Sequence, residues 1–376
     1  MTKVLYISHS SDIGGAARSL MFLVKEDPNA HVLVPSWGPI LTEYRRYGIS
    51  YDYLRLPVLY HSIYNDVHNE SLNDFINRLI VDYPNIKKLE RYINEGYTVF
   101  HLNEIIFAPL IPVLRYLFGN KIKIVTHVRL TMPCSHYMTR IFTYCLKKSD
   151  YLIGVVESVL DPFQSYSEKK VIYNPVDFGP YLPSYRRTEY LNDTYNIPRN
   201  KKIIGYFGML HKGKGQDFLI EYLVKKKEKL DRECIIIFFG DGPMYRELLN
   251  KVTENELSKT IHFAGLIQNV YEAMEGCDFI VRTDETGDFG RDILEANSLG
   301  VPILISRKST NRDDQLFKES YNGYGFLPGD FTEFDNKWNQ MLLHYRELRG
   351  NTVRDQFGYT LSSGYYGKVK EIFDSL

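Results

Sequence analysis

Short apolar strands alternate with helical stretches along this chain, and the alternation forms two separate series. The first series contains KVLYIS, HVLVPS, YTVFHLN, IKIVTHV, YLIGVVES and KVIYNPV, and the second contains KIIGYFG, CIIIFFG, IHFAG, DFIVRT and PILISR. Short strands that are apolar throughout and separated by helices are typical of a parallel sheet covered on both faces. The sequence therefore predicts an α/β fold with two Rossmann-like units in tandem.

The length agrees with this division, because 376 residues exceed the usual size of a single domain. Residues 179–200 are rich in proline, tyrosine and charge, lie between the two series and are predicted to form a linker. The expected domains are therefore residues 1–178 and residues 201–358. Ligands of such sheets bind beyond the carboxyl ends of the strands, so the cleft between the two units is the expected site.

Charge balance and apolar patterning exclude several classes of protein. The chain has 46 basic and 46 acidic residues, so no overall positive field favours nucleic acid as a partner. No segment has the roughly 20 apolar residues of a membrane span, or the apolar core of a signal peptide. We therefore expect a cytoplasmic protein. The cysteines are isolated, lack the spacing of a metal site and fit a reducing compartment: Cys134, Cys145, Cys234 and Cys277.

Glycine-containing turns follow several of the strands. They are Gly14-Gly15, Gly208, the GDGP stretch at 240–243 and the GDFGRD stretch at 287–292. Backbone N–H groups at such turns and helix starts favour phosphate oxygens, because unpaired donors and the helix dipole both attract an anion. None of the turns matches GxGxxG or the phosphate-binding GxxxxGK[ST] loop, and each on its own is explained by a tight connection between strand and helix.

Taken together, the motifs resemble a known family. In order they are GG after the first strand, GMLHKGKGQDFLIE, GDGP, IHFAGLIQNV and FGRDILEANSLGVPI. The chain resembles the retaining GT-B glycosyltransferases of glycosyltransferase family 4, the group 1 family, most strongly over residues 201–306. The resemblance implies two Rossmann-like domains that face each other across a cleft, the first binding acceptor and the second binding a nucleotide sugar. A helix in residues 359–376 is expected to cross back to the N-terminal domain.

The resemblance also implies roles for residues around the last glycine turn. Glu295 matches the second glutamate of the family's E-x7-E motif, which accepts hydrogen bonds from the ribose hydroxyls of the nucleotide. Gly290 and Arg291 open the same helix, and their amides are expected to face the diphosphate or the sugar. The alternative for Glu295 is an ion pair with Arg291, one helical turn earlier.

Two positions depart from the family pattern. Gly287 stands where the first glutamate of the motif, which contacts the transferred sugar, is expected, so Glu285 or Asp288 is the candidate substitute. Met209 stands where the family has an arginine. Lys214 is retained and is expected to neutralise the leaving diphosphate, while Arg291, or else Lys212, is expected to replace the missing cation.

In the N-terminal half, His127 matches the family histidine that contacts the transferred sugar or the diphosphate. His101, Asn103 and Arg129 are expected on the acceptor side, as are, less directly, His9 and Asp12. The predicted catalytic residues are therefore His127, Lys214 and Glu285. The predicted donor-binding residues are Gly15, Gly208, Lys214, Ile267, Asp288, Phe289, Gly290, Arg291 and Glu295.

The implied reaction is transfer of a sugar, with retention, from a UDP- or GDP-linked donor to a glycan or lipid-linked acceptor in cell-surface polysaccharide synthesis. We expect no metal and no other cofactor. Two alternatives stay open: a non-hydrolysing sugar-nucleotide epimerase, and a non-catalytic subunit that binds nucleotide or glycan. The segments YRRYGISYDYLRLPVLY and HYMTRIFTYCLKK mix basic and aromatic residues, which favours peripheral contact with an anionic membrane at the inner face of the cytoplasmic membrane.

Overall fold

The computed structural model describes residues 2–60, 70–129, 136–179, 181–285, 290–307, 317–352 and 362–376. By their internal contacts the residues form two compact units. The N-terminal unit comprises Met1–Asp177 together with Thr360–Leu376, and the C-terminal unit comprises Phe178–Tyr359. Residues 179–200, predicted as a linker, are part of the C-terminal unit by these contacts.

Each unit contains one parallel sheet. The strands of the N-terminal unit are β1 (Lys3–Ile7), β2 (His31–Val34), β3 (Ser50–Tyr53), β4 (Tyr97–Leu102), β5 (Lys123–Val128), β6 (Tyr151–Gly154) and β7 (Lys169–Val171). Those of the C-terminal unit are β8 (Lys202–Phe207), β9 (Cys234–Phe239), β10 (Ile261–Gly265), β11 (Phe279–Arg282), β12 (Ile303–Ser306) and β13 (Gly323–Phe326).

Helices connect the strands. They are α1 (Gly15–Val24), α2 (Ile40–Arg46), α3 (Leu72–Asn94), α4 (Ile111–Phe118), α5 (His136–Leu146), α6 (Tyr190–Tyr195), α7 (Gln216–Glu233), α8 (Tyr245–Glu254), α9 (Val270–Gly276), α10 (Arg291–Ser298), α11 (Phe331–Leu348) and α12 (Ser362–Ser375). Three 3-10 segments, Ile105–Leu110, Gly119–Lys121 and Glu157–Phe163, complete the connections in the described residues.

The strand order places a binding crevice in each unit. The described strands of the N-terminal sheet run in the order β3-β2-β1-β4-β5-β6-β7, and those of the C-terminal sheet in the order β10-β9-β8-β11-β12-β13. The order therefore reverses between β1 and β4, and again between β8 and β11. Loops leave in opposite directions at such a point, and ligands of open α/β sheets bind in the resulting crevice.

Apolar packing fixes the elements around both crevices. In the C-terminal unit, Ile293 and Ala296 of α10 are fully buried against one face of the sheet, and Trp338 of α11 is fully buried on the other. In the N-terminal unit, α12 contributes Tyr365 and Val369 to the same core as β1 and α1. Burial of a side chain such as Ile293 or Val369 stabilises its unit by about 1.5–3 kcal/mol, so the last helix is an integral part of the N-terminal unit.

Candidate active site

At the C-terminal crevice, the loops that follow β8 and β9 pack with their backbones in close contact. Gly208 follows β8, and Gly240 follows β9 with φ 142°. A Cβ atom built on Gly240 would lie 2.0 Å from the Gly208 carbonyl oxygen, and one built on Gly242 would lie 2.3 Å from that of Leu210. The GDGP turn therefore needs its glycines so that two loops can pack together.

The loop that carries Lys214 is bound to the end of the neighbouring strand. Thr283 donates from Oγ1 to the Gly215 carbonyl at 2.6 Å, and the Glu285 amide donates to the Gly213 carbonyl at 3.0 Å. Tyr206 donates its hydroxyl to the carbonyl of Lys214 itself. These bonds join the loop after β8 to the residues after β11, which are the two sides of the crevice.

Four alternating charges connect Lys214 to the start of α10. Lys214 Nζ lies 2.9 Å from Asp284 Oδ2, and Arg282 Nη2 lies 2.9 Å from the same oxygen. The other arm of Arg282 places Nη1 2.5 Å from Asp292 Oδ1, in the first turn of α10. We call Lys214, Asp284, Arg282 and Asp292 the charge chain.

Burial makes the charge chain electrostatically strong. Asp284 has no exposed side-chain surface, Arg282 is 9% exposed, and Lys214, at the end, is 29% exposed. Burial disfavours the charged form of Arg282, but Asp292 and Asp284 outweigh it, so the pKa of Arg282 is raised. The charge chain therefore fixes Lys214 at the mouth of the crevice through its ion pair with a buried carboxylate.

Sequence reasoning missed Arg282, Asp284 and Asp292. A signal was present, because DFIVRTDET places charged residues at and just after the end of an otherwise apolar strand. A buried parallel strand has no structural use for charges there unless they pair with one another.

Gly290 is the N-cap residue of α10 and, as a glycine, has no side chain with which to cap the helix. A Cβ atom on Gly290 would lie 2.0 Å from Arg282 Nη1, so the helix start rests directly on the charge chain. Glu295 is 5% exposed, and its Oε1 lies 2.9 Å from Arg291 Nε. The ion pair considered as the alternative for Glu295 is thus present, and the ribose contact stays a prediction.

The candidates for contact with the sugar lie partly outside the described residues. Asp288, Phe289 and Gly287 are outside them. Glu285 is described and exposed; its pKa is raised by partial burial and by the nearby Asp217 and Asp284, against the opposing charge of Lys212. The choice between Glu285 and Asp288 therefore stays open.

The remaining predicted donor positions lie on the same edge of the sheet. Met209, in the place of the family arginine, is 59% exposed, and Lys212 is exposed nearby. Gly208 precedes them. Ile267 follows β10 and packs, half-buried, on the core beneath α9 and α10. Arg291, the candidate to replace the missing family arginine, pairs with Glu295. Arg282 is a further cation that the structure brings to the start of α10.

In the N-terminal unit, the predicted acceptor residues converge on the start of α1. The Asn103 side chain donates to the Ala16 carbonyl at 3.1 Å and accepts from Arg129 Nε at 3.0 Å. Arg129 also donates to Asn174 Oδ1 at 2.6 Å. A Cβ atom on Gly14 or Gly15 would meet no atom of the other described residues within 4 Å, apart from its neighbours in the chain. Packing among the described residues therefore does not require glycine at either position.

His101 and His127 form a buried pair behind Arg129. His101 Nε2 lies 2.7 Å from His127 Nδ1, neither residue is exposed, and Tyr365 of α12 brings its hydroxyl to 3.4 Å from His127 Nε2. Burial and, to a smaller extent, the charge of Arg129 together lower the pKa of His101 to about 3. Burial, then Arg129 and His101, hold the pKa of His127 well below its ordinary value.

Both imidazoles are therefore neutral at physiological pH, and one donates a hydrogen bond to the other. In this conformation His127 offers no surface to a ligand, so its predicted contact with sugar or diphosphate stays a prediction. Sequence reasoning also missed Tyr365 and Asn174, which bond to the same cluster from distant parts of the chain.

A cavity of about 430 Å³ lies at the carboxyl edge of β1, β2 and β3. His9, whose pKa burial and Arg129 lower to about 4, faces it. Arg55 crosses its wall and donates to Asp82 Oδ1 from Nε at 3.0 Å and from Nη2 at 2.8 Å. Asp12, the other weaker acceptor-side candidate, lies in the exposed loop after β1 and does not line this cavity.

The described residues contain neither a metal-binding cluster nor a membrane-spanning helix. No group of three or more His, Cys, Asp or Glu side chains is arranged to hold a metal ion there. No helix in the described part of the chain is long and apolar enough to span a bilayer.

Comparison with known proteins finds similarity to glycosyl transferases. Residues 189–355 match the family model of group 1 glycosyl transferases. N-acetyl-alpha-D-glucosaminyl L-malate synthase of Bacillus anthracis is 23% identical over 303 residues, which are 77% of each chain. A UDP-Gal:alpha-D-GlcNAc-diphosphoundecaprenol alpha-1,3-galactosyltransferase of Escherichia coli is 24% identical over 196 residues, which are 51% of this chain and 49% of the relative.

Solved structures show the same fold over the whole chain. HepE of Anabaena, solved with UDP-glucose, superimposes with a TM-score of 0.78 at 18% identity and covers 100% of both chains. TarM of S. aureus superimposes with a TM-score of 0.72 at 13% identity and covers 99% of both. The predicted GT-B fold with two Rossmann-like units is confirmed, and the chain is a glycosyltransferase whose residues 189–355, somewhat less than half of its length, match the group 1 family.

Proposed function

We propose that the protein transfers a sugar, with retention, from a nucleotide-diphosphate sugar to a hydroxyl of a glycan or lipid-linked acceptor in cell-surface polysaccharide synthesis. The observation that carries this proposal is Lys214, fixed on the buried Asp284 at the crevice between β8 and β11. A fixed cation at such a crevice is suited to a leaving group whose negative charge grows during the reaction.

The donor we propose is a UDP- or GDP-linked sugar. UDP is favoured because HepE was solved with UDP-glucose and the E. coli relative is named for UDP-Gal. In this proposal Lys214 and the first amides of α10, at Gly290 and Arg291, bind the diphosphate. Glu295 accepts hydrogen bonds from the ribose hydroxyls, and the backbone at Ile267 contacts the base.

The bonding changes balance without a protein nucleophile. The bond between C1 of the sugar and the diphosphate oxygen breaks, and a bond from C1 to the acceptor oxygen forms on the same face. The acceptor proton passes to an oxygen of the leaving diphosphate. Glu285, or Asp288, contacts the transferred sugar. Lys214 stabilises the charge on the diphosphate, which makes a metal cofactor unnecessary in this proposal.

The N-terminal unit supplies the proposed acceptor side. Gly14 and Gly15 leave space at the start of α1, where Gly15 is proposed to bind the donor, and Arg129 and Asn103, on the acceptor side, border that space with a cation and an amide. The buried His101–His127 pair lies near Arg129, and the Tyr365 hydroxyl contacts both His127 and Arg129. The names of two relatives refer to diphosphoundecaprenol acceptors, which supports a lipid-linked acceptor here.

Peripheral contact with an anionic membrane at the inner face of the cytoplasmic membrane is part of this proposal. Tyr137 and Tyr144 of α5 are each 64% exposed, and Arg140, Lys147 and Lys148 are exposed beside them. A helix face of aromatic and basic residues is typical of an interfacial surface. Sedimentation with vesicles of phosphatidylglycerol should be lost at high salt and in Tyr137→Ser/Tyr144→Ser; a protein that stays in the supernatant at low salt contradicts the contact.

The reaction itself is tested by product analysis. The protein is incubated with UDP- and GDP-linked sugars and extracted lipid-linked or glycan acceptors, and the anomeric configuration of the product is read by NMR. We expect the anomer of the donor. An inverted product contradicts retention, and an epimerised nucleotide sugar formed without acceptor contradicts transfer.

A further inference from the structure

A second charged cavity lies at the opposite edge of the C-terminal sheet. It has a volume of about 390 Å³, and Lys202, the first residue of β8, and Asp278, just before β11, line it. The proposed donor residues follow the last residues of these strands. A six-residue strand is about 20 Å long, so this cavity is separate from the donor crevice.

Basic side chains dominate the wall of this cavity. The acidic residues that line it are Glu189 and Asp278. The basic residues are Arg187, Arg199, Lys201, Lys202, Arg346 and Arg349, which we call the basic cavity. A cluster of this kind differs from the balanced charge of the whole chain.

The carboxylates near the basic cavity pair with two of its arginines. Arg187 Nη1 lies 3.2 Å from Glu189 Oε1, and Arg187 Nε lies 3.2 Å from Asp278 Oδ1. Arg199 lies 2.8 Å from Glu189 and 3.2 Å from Asp193, which stands outside the wall. These three carboxylates pair with Arg187 and Arg199, whereas Arg346 and Arg349 have no carboxylate partner among the described residues.

The other arginines have neutral partners in the described residues. Arg349 donates to the carbonyl of Cys277, and its Nη1 is buried without a hydrogen-bond partner in the described part of the chain. Burial lowers the pKa of Arg349, and the charge of Arg187 adds to this effect against the nearby carboxylates. Arg346 donates from Nε to the Tyr345 hydroxyl at 3.1 Å. Positive groups gathered in this way repel one another unless an anion lies among them.

We propose that the basic cavity binds a ligand carrying two or more phosphate groups, at a site distinct from the donor crevice. Guanidinium groups match phosphate oxygens through paired N–H donors, and lysines add unshaped positive charge. The volume accommodates a small polyphosphate or the headgroup of an anionic lipid. The shared chemistry is phosphate recognition, and the experiment separates the two sources.

The test removes three basic side chains and leaves the ion pairs of Arg187 intact. The variant Arg199→Ala/Lys202→Ala/Arg346→Ala is compared with Arg246→Ala/Lys251→Ala/Lys259→Ala, which removes the same charge from the surface of the same unit. Calorimetry with inorganic tripolyphosphate measures the first source, and sedimentation with vesicles that contain cardiolipin, whose headgroup carries two phosphates, measures the second. Because both variants keep the donor crevice, binding of tripolyphosphate there is common to the two.

We expect at least one of the two probes to bind about tenfold or more weakly to the basic-cavity variant, with the control unchanged. Far-ultraviolet circular dichroism checks the fold. If the triple variant does not fold, Arg199→Ala/Arg346→Ala, at exposed positions, replaces it. In the unmodified protein the bound probe should also protect Lys201 and Lys202 from acetylation. Equal binding by both variants for both probes, or no protection of these lysines, overturns the proposal.

Discussion

Glu295 makes an ion pair with Arg291, and the same carboxylate is the proposed ribose acceptor. One carboxylate oxygen, Oε1, accepts from Arg291 Nε. Since a carboxylate has two oxygens and about four lone-pair directions, the ion pair and a ribose contact are compatible. Arg291 then orients Glu295 and does not compete with the nucleotide.

A substitution separates the two roles of Glu295. Glu295→Ala should weaken nucleotide binding by about 1.5–3 kcal/mol, the size of a lost charged hydrogen bond. Arg291→Ala should weaken it less, because the carboxylate remains. Calorimetry with UDP measures both. Equal losses in the two variants would mean that Glu295 acts only as the partner of Arg291.

The charge chain makes a different prediction for Asp284. Asp284→Asn leaves Arg282 buried with one carboxylate fewer, and removal of one member of a buried ion pair costs about 3–5 kcal/mol. The free energy of unfolding, followed by the fluorescence of the buried Trp338 in the same unit, should fall by that order.

Lys214→Ala is the matched control. It keeps the pair of Arg282 and Asp284, and the lysine side chain is 29% exposed, so stability should change little while kcat falls. Asp284→Asn should lower both stability and kcat. An Asp284→Asn protein with the stability of the unmodified chain contradicts the structural importance of the charge chain.

At the scale of elements, the start of α1 is the clearest case of space that the protein itself does not use. Gly15→Ala meets no atom within 4 Å and adds a better helix former, so stability should be unchanged or rise by up to about 1 kcal/mol. Activity should fall strongly, because the methyl group enters the space proposed for substrate. Gly367→Ala, also without a neighbour within 4 Å in α12, should leave activity intact. Full activity of Gly15→Ala contradicts the proposed substrate contact.

The histidine pair between β4, β5 and α12 makes the N-terminal unit sensitive to acid. An unfolded histidine has a pKa of about 6.5, whereas that of His101 in the fold is about 3. The unfolded state therefore binds more protons below pH 6.5, and stability falls as the pH decreases through that window. For His101 alone the loss at pH 5 is about 2 kcal/mol.

Hydrogen exchange of β4 and β5 at pH 7.5 and pH 5, corrected for the intrinsic exchange rate, measures this loss. His101→Gln should reduce the slope between these pH values. Above pH 5 the carboxylates with lowered pKa, such as Asp52 and Glu70, contribute little to the slope, because their unfolded values lie near pH 4. A pH-independent free energy of opening contradicts neutral, buried histidines.

Local sequence pattern was sufficient for most strands and failed where burial or pairing came from distant elements. β3 and β13 were not predicted, because SYDY and GYGF lack the apolar character of the inner strands. Lys214 and Glu295 were identified through motifs. Arg282 and Asp284 were not, because their importance lies in ion pairs that form only when β8, β11 and α10 meet. Tyr365 reaches His127 across 238 positions of the chain, a contact that no local pattern contains.

At the scale of the whole molecule, each unit combines one parallel sheet with a crevice at its change of strand order. The C-terminal crevice carries the fixed cation that we propose for the leaving group, and the start of α1 in the N-terminal unit has space, among the described residues, beside an arginine. These features are complementary requirements of sugar transfer, since a donor must be bound and activated and an acceptor must be admitted. The central claim is therefore that the chain is a transferase whose leaving group depends on Lys214.

The most direct test is the release of nucleotide diphosphate from UDP- and GDP-sugars, with and without acceptor, by the unmodified protein and by Lys214→Ala. We predict release by the unmodified protein that depends on acceptor, and a kcat about tenfold or more lower in Lys214→Ala with a smaller change in donor affinity. Release of nucleotide at equal rates by the two proteins, or an effect on KM alone, would contradict the role of Lys214 at the leaving group.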